Sequence, residues 1–257
     1  MQFHDAHCHL PINYFYKDID NFMKQWLDLG LEYVVGVSMK YTEIEKAIEL
    51  QKKYKQIIPG FGIHPWEVKR NMPEEQINKI SYHVATVSPL VFGEIGLDHH
   101  FIKKEQYYPL QEEVFRFFLN LSEQYSIPIN IHSKGAEERV YELLDSFSIP
   151  PSNILIHWYS GPKKILYKFR DKGVFFSINP SILGGSTHRF VLEKVELEQL
   201  LTESDGNVKY WIKGERIIGS PAIIPQIMEK IAEVKNLSMD EVSEVLSRNF
   251  KEFANIS

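Results

Sequence analysis

Six side chains of metal-binding type stand at or near the ends of short apolar runs: His7, His9, Glu94, His132, His157 and Asp205. Alternate residues of a strand face one side, so the imidazoles of His7 and His9 can meet one cation, with Asp5 on the same face. Imidazole suits zinc and similar divalent ions. Histidines clustered without a metal would leave several ring nitrogens without partners. Glu94 sits at the end of an apolar run, and a buried carboxylate is normally paired or bound to a cation. Asp205 is a candidate ligand and general base. Glu203, two residues earlier on the same face, is expected behind the ligands, orienting an imidazole. Cys8 points the other way on this reading, into the helix layer, as a small buried hydrophobe.

Ligands so far apart in sequence share a site only if the fold gathers the ends of their runs. Eight β-rich runs recur at 3–9, 33–38, 57–64, 90–96, 127–132, 153–158, 174–179 and 200–205, each followed by helical pattern. They read as successive βα units with right-handed crossovers, which close a barrel or make a doubly wound sheet. The ligands arise on the first, fourth, fifth, sixth and eighth runs. An open sheet gathers residues mainly at its switch point, whereas a (β/α)₈ TIM barrel builds its site from the C-terminal ends of all its strands. The expectation is therefore one TIM-barrel domain over residues 1–257. Among the helices, 41–54 carries an apolar stripe of Ile44, Ala47, Ile48 and Tyr54. Pro109 opens another with Leu110, Val114, Phe117, Phe118 and Leu121 at helical spacing. Ser238 and Glu241 form a capping box for the last.

Composition narrows the function classes. The 257 residues are 44% hydrophobic and 25% charged, as in a soluble globular chain. A single cysteine rules out an internal disulfide framework and suits a reducing compartment. No apolar stretch is long enough to span a membrane, and the N-terminus lacks the pattern of a signal peptide. Cytoplasmic residence without a membrane partner is the expectation, and no obligate protein partner is evident. The formal net charge of −5 and the lack of a long basic run argue against a wide nucleic-acid footprint. They leave room for a small site that handles phosphate through metal ions.

The ordered motifs DAHCHL (5–10), GIHPW (62–66), GEIGLD (93–98), IPINIHSK (127–134), IHWYSG (156–161) and TESDG (202–206) resemble those of TatD-type metal-dependent hydrolases. That family belongs to the amidohydrolase superfamily of (β/α)₈ barrels and includes deoxyribonucleases. The resemblance covers nearly the whole chain. It implies two adjacent divalent ions (Zn, Mg or Mn), one held by His7, His9 and Asp205, the other by His132 and His157, with Glu94 bridging. It places His64 near the substrate. The chain departs from the family pattern at Lys134, where arginine is usual; lysine keeps the charge but loses the bidentate fork. Trp158 and Tyr159 stand in the usual HCFSG motif, His99 and His100 follow Asp98 where tyrosines are common, and the familiar proline after Asp205 is missing.

Substrate-binding candidates are His64, Lys134, Ser160 and Gly161. Ser160-Gly161-Pro162 leads into a helix whose N-terminus can take a phosphate, or is a plain turn. The loop 99–108, HHFIKKEQYY, offers lysines for a phosphate and rings to stack a base, or is simply solvated. The expected activity is hydrolysis of an ester bond, with the phosphodiesters of DNA ends, or a small phosphodiester, as substrate. Two other readings stand beside it. One keeps the barrel and hydrolyses an amide, lactone or carboxylic ester of a small molecule. The other is a non-catalytic binding protein, which the full ligand set argues against.

Overall fold

The computed structural model describes residues 1–185 and 188–256. Eight parallel strands pair in chain order: β1 (Phe3–Cys8), β2 (Leu31–Val37), β3 (Ile57–Phe61), β4 (Val91–Gly96), β5 (Ile129–His132), β6 (Ile154–Ile156), β7 (Phe175–Ile178) and β8 (Leu200–Thr202). With helices between them they make the expected (β/α)₈ barrel. The last residues of most of the apolar runs leave the ladder; His9, His157 and Asp205 lie in these outlets, while His7, Glu94 and His132 lie within β1, β4 and β5.

Two apolar layers hold the barrel. The lumen packs Ala6, Val35, Val37, Ile58, Val91, Leu155, Phe175 and Leu201 against Phe250 and Phe253 of the last helix, Met239–Phe253. That helix therefore plugs the floor, opposite the strand outlets. The other strand faces pack on the helix layer, where Cys8 is fully buried as expected. The helix Tyr41–Lys53 buries Ile44, Ala47 and Ile48. The helix Tyr108–Tyr125 buries Val114, Phe118 and Leu121 but adds Phe115 and Leu119, leaving Phe117 only partly covered. The Ser238–Glu241 capping box forms, with Glu241 Oε2 accepting from Ser238 N at 2.8 Å.

β1 departs from simple alternation. Three steps from Asp5 to Cys8 lie opposite two from Val34 to Gly36, which is a bulge. Ala6 faces the lumen and Cys8 the helix layer, although they are two residues apart. Asp5 consequently does not share the face of His7 and His9. Its Oδ1 accepts from His7 N at 3.1 Å and from Ser204 N at 3.0 Å.

Between β8 and β1 the closure is stitched by individual bonds. Thr202 Oγ1 donates to His4 O at 2.7 Å. Asp205 N donates to His7 O at 2.9 Å, and His9 N to Gly206 O at 2.8 Å. Beyond β8 a hairpin absent from the sequence reading forms from β9 (Lys209–Ile212) and β10 (Glu215–Ile218). Its turn, Lys213-Gly214, has φ of 52° and 85°, the left-handed pair of a type I′ turn. Among the described residues no helix is long and apolar enough to cross a membrane.

Candidate metal centre

The C-terminal parts of the strands and the outlets that follow bring all six expected ligands to one buried chamber at the mouth. His7 Nε2 and His9 Nε2 lie 3.3 Å apart. Each is 3.5 Å from Glu94 Oε2, and Asp205 Oδ1 is 3.6 Å from the first and 3.4 Å from the second. On the other side, Glu94 Oε1 lies 2.8 Å from His132 Nδ1, 3.2 Å from His157 Nε2 and 3.2 Å from His64 Nε2. Glu94 thus turns one oxygen to each of two donor groups.

Backbone detail makes this possible. A Cβ on Gly62 would collide with the Gly93–Glu94 backbone, so only glycine lets the β3 outlet lie against that peptide. Gly96, at φ +133°, lies against the His132 carbonyl in the same way. Asp205 and Trp158 sit at φ of 44° and 38°, an unfavourable region for residues with a Cβ, and one commonly retained at functional sites.

Partners behind the rings fix which nitrogen faces the chamber. Asn130 Nδ2 donates to Ala6 O at 2.8 Å, so its Oδ1, 3.0 Å away, accepts from His7 Nδ1. The Glu203 carboxylate, 3.1 Å off, accepts from His157 Nδ1, placing Glu203 behind a candidate ligand as the sequence suggests. Asp98 Oδ2 lies 2.8 Å from His132 Nε2 and accepts from Trp66 Nε1 at 2.7 Å. His64 is turned the opposite way. Its Nδ1 accepts from Trp66 N at 3.1 Å, so Nε2 carries the hydrogen and donates toward Glu94. A protonated Nε2 is no ligand, which sets His64 apart from His7, His132 and His157, whose rear nitrogens carry the hydrogen.

Electrostatics describe a chamber built around positive charge. Burial works to lower the pKa of His157, but Glu203 and Glu94 outweigh it and hold the imidazole well above its usual range. His9 and His132 are also raised against burial, by Asp205 and Glu94 for the first and by Asp98 and Glu94 for the second. Glu94 is pulled well below the carboxylate range. Burial opposes this, and the His64, His7 and His157 imidazoles overcome it. Asp205 is lowered, again against burial, by His9, His7 and His157. For His64 burial wins and the pKa falls.

The donors fit a divalent cation. Four ligands about 2.1 Å from a tetrahedral ion stand about 3.4 Å from one another. The distances of His7 Nε2 and His9 Nε2 from each other and from the facing Glu94 and Asp205 oxygens run from 3.3 to 3.6 Å. An ion would supply the charge that protons on His9, His132 and His157 otherwise provide.

Apart from His64, which is buried in the chamber, the substrate candidates lie at the rim. Half-buried Lys134 donates from Nζ to Ser160 Oγ at 2.6 Å, joining the β5 and β6 outlets. Gly161 faces the buried Glu137 side chain, whose Cδ would lie 2.6 Å from a Cβ there. In the loop 99–108, Tyr108 is committed to stacking on His99 at 3.6 Å and donating to Ile102 O. Phe101 is the large apolar ring that this loop exposes, 58% accessible, with His100 exposed beside it. Sequence reasoning passed over Asp98, Asn130, Trp66 and Gln111, whose Oε1 accepts from Asp98 N at 3.0 Å. Asn130 left a signal, as a polar residue inside the aliphatic strand of IPINIH.

The family model for TatD related DNase matches residues 4–255. An uncharacterized metal-dependent hydrolase of Methanocaldococcus jannaschii is 30% identical over 97% of this chain and 95% of its own. Deoxyribonuclease TATDN3 of Homo sapiens is 27% identical over 95% of this chain and 92% of its own. The crystal structure of the TatD homolog YJJV from Escherichia coli superposes with a TM-score of 0.89 at 20% identity, covering 99% of this chain and 98% of that one. A phosphotriesterase homology protein from Escherichia coli, solved with phosphate in its active site, gives 0.71 at 16% identity over 98% of each chain. At those identities the solved structures speak for the barrel alone. The match along almost the whole length, with the donor set intact, makes this chain a member of the TatD-related DNase family of metal-dependent hydrolases.

Proposed function

We propose that this chain, acting as one domain over 1–257 in the cytoplasm, hydrolyses phosphodiester bonds at single-stranded or frayed DNA ends with two divalent ions. The observation that carries the reading is Glu94, with Oε2 toward His7, His9 and Asp205 and Oε1 toward His132 and His157. A pair of cations there would activate water and offset the charge of the phosphate in flight. Zn, Mg and Mn all suit a donor set of this composition in some measure, with the imidazoles leaning toward zinc.

The chain's own groups do the rest. Asp205, kept ionised with Oδ1 turned to His7 and His9, receives the proton of the attacking water on Oδ2. His64, whose one hydrogen on Nε2 is directed to Glu94, orients that carboxylate on the substrate's side of the chamber. Lys134 neutralises a phosphate oxygen, with Ser160 Oγ fixing the ammonium in place. Gly161 leaves room for the Glu137 side chain beside that pair. Asn130, Glu203 and Asp98 hold the imidazoles of His7, His157 and His132 at their angles, and Asp5 pins the His7 peptide.

The test is a substrate panel run on protein whose metal content has been measured. Single-stranded oligonucleotides should be cleaved, and chelation should abolish the activity until a divalent ion is restored. Metal-loaded protein that hydrolyses only neutral esters, lactones or amides would overturn the reading.

A further inference from the structure

The mouth has two unlike flanks. His132 is the most open of the expected ligands, its side chain 12% exposed against 0–9% for the others. On the β5–β6 side of it lies the Lys134–Ser160 pair. On the β3–β4 side lie two large exposed aromatic rings in contact, Trp66 (37% exposed) and Phe101 (58%). The Trp66 ring centre is 6.4 Å from that of His132 and 4.8 Å from that of His64. Phe101 stands edge-on to Trp66 at 5.2 Å, and His100 edge-on to Phe101 at 4.6 Å.

The Trp66 ring and the Phe101 backbone are held by the carboxylate that also holds His132. Asp98 Oδ2 accepts from Trp66 Nε1, while Oδ1 accepts from the backbone N–H of Phe101 at 2.6 Å and of His100 at 2.9 Å. Exposing two such rings costs solvation with no packing return. Tying the indole in place also removes rotamer freedom that would offset its exposure. The arrangement is a pair of exposed apolar rings set nearly at right angles, beside the candidate metal ligands and opposite a cationic group.

We infer that Trp66 and Phe101 form a stacking platform for an unpaired nucleobase, that of the nucleotide carrying the scissile phosphate or its immediate neighbour. The inference rests on the phosphodiesterase reading and deepens it. A base cannot lie on one ring and against the other while stacked and paired within a duplex, so the platform selects single-stranded ends. Every base has a π-face, so the preference is for the presence of a base, not for its identity. Stacking on an aromatic side chain is worth about 1–3 kcal/mol per base, roughly a factor of five to a hundred or more in affinity.

The test compares two single-stranded oligonucleotides cleaved by the metal-loaded enzyme. One is intact; the other carries an abasic residue at the nucleotides flanking the cleaved bond. The intact strand should give the higher kcat/KM, by tenfold or more, with the difference largely in KM. Phe101→Leu, which stays apolar but removes the ring, should shrink that ratio several-fold, and Phe101→Tyr should restore it. Trp66→Phe should keep part of the ratio, separating the ring from the Nε1 bond to Asp98. Equal kcat/KM on both strands, or a Phe101→Leu ratio matching wild type, would overturn the platform while leaving the nuclease reading intact. Failure to cleave either strand, with metal bound and neutral esters turned over, would instead remove the nuclease reading and the platform with it.

Discussion

Four of the five imidazoles of the chamber have their chemistry set by what stands behind them; the Nδ1 of the fifth, His9, is buried without a hydrogen-bond partner among the described residues. His7, His132 and His157 are backed by Asn130, Asp98 and Glu203, whereas His64 is backed by a backbone donor and so presents a hydrogen. Asp98→Asn should therefore weaken metal binding by roughly 10- to 100-fold, read as a shifted metal titration, because it loosens the ring without removing a ligand. Asp205→Asn keeps an oxygen for the ion but no longer takes a proton. Its metal content should fall modestly, while turnover at full loading drops by roughly 10²-fold or more. Wild-type turnover in that variant would reassign the proton acceptor. The sequence disclosed all six converging side chains and Glu203 because histidine and carboxylate types announce themselves at strand ends. Asp98 was harder to see. It lies two residues beyond β4, and only the tertiary approach of Trp66 and His132 gives it work.

Strands were legible from their β-rich runs, and the capping box from four consecutive residues. The bulge in β1 was not, since it depends on β1 being registered against β2, and it moved Asp5 off the expected face. The β9–β10 hairpin hid because YWI and RII are short and their turn carries lysine at a left-handed position. The last helix yields a prediction at the floor of the barrel. There His4 stacks on Phe250 at 4.6 Å and lies 2.9 Å from Glu32. Burial lowers its pKa from 6.5 to about 4, more than Glu32 can offset. The unfolded chain then takes up this proton first. Stability from a neutral His4 is present above pH 6.5 and is lost as pH falls from 6.5 toward 4. The advantage of wild type over His4→Phe should shrink across that window by at most about 3 kcal/mol, as measured by denaturant unfolding at successive pH values. An advantage that stays constant would show that His4 does not titrate between the two states.

At the scale of the molecule, the scatter of ligands over five βα units argued for a barrel before any contact was known, because only a closed ring of parallel outlets gathers such residues. The way that ring closes has a mechanical consequence. β8 and β1 meet through a handful of bonds, and the residues on either side of this join are His7 and His9 against Asp205. These groups lie roughly 200 residues apart along the chain, so a cation shared by them would act as a removable staple tying one end of the barrel's circumference to the other. For a covalent cross-link over that span the chain-entropy gain would be about 5 kcal/mol, an upper bound for an exchangeable ion. Chelation should unzip the barrel there first. Hydrogen exchange at the His9 and Asp205 amides, both bonded across the join, should quicken well before exchange in β3 or β4, and the melting temperature should fall. Uniform acceleration around the ring would mean that the ion stabilises the whole fold evenly and that the staple bears no special tension.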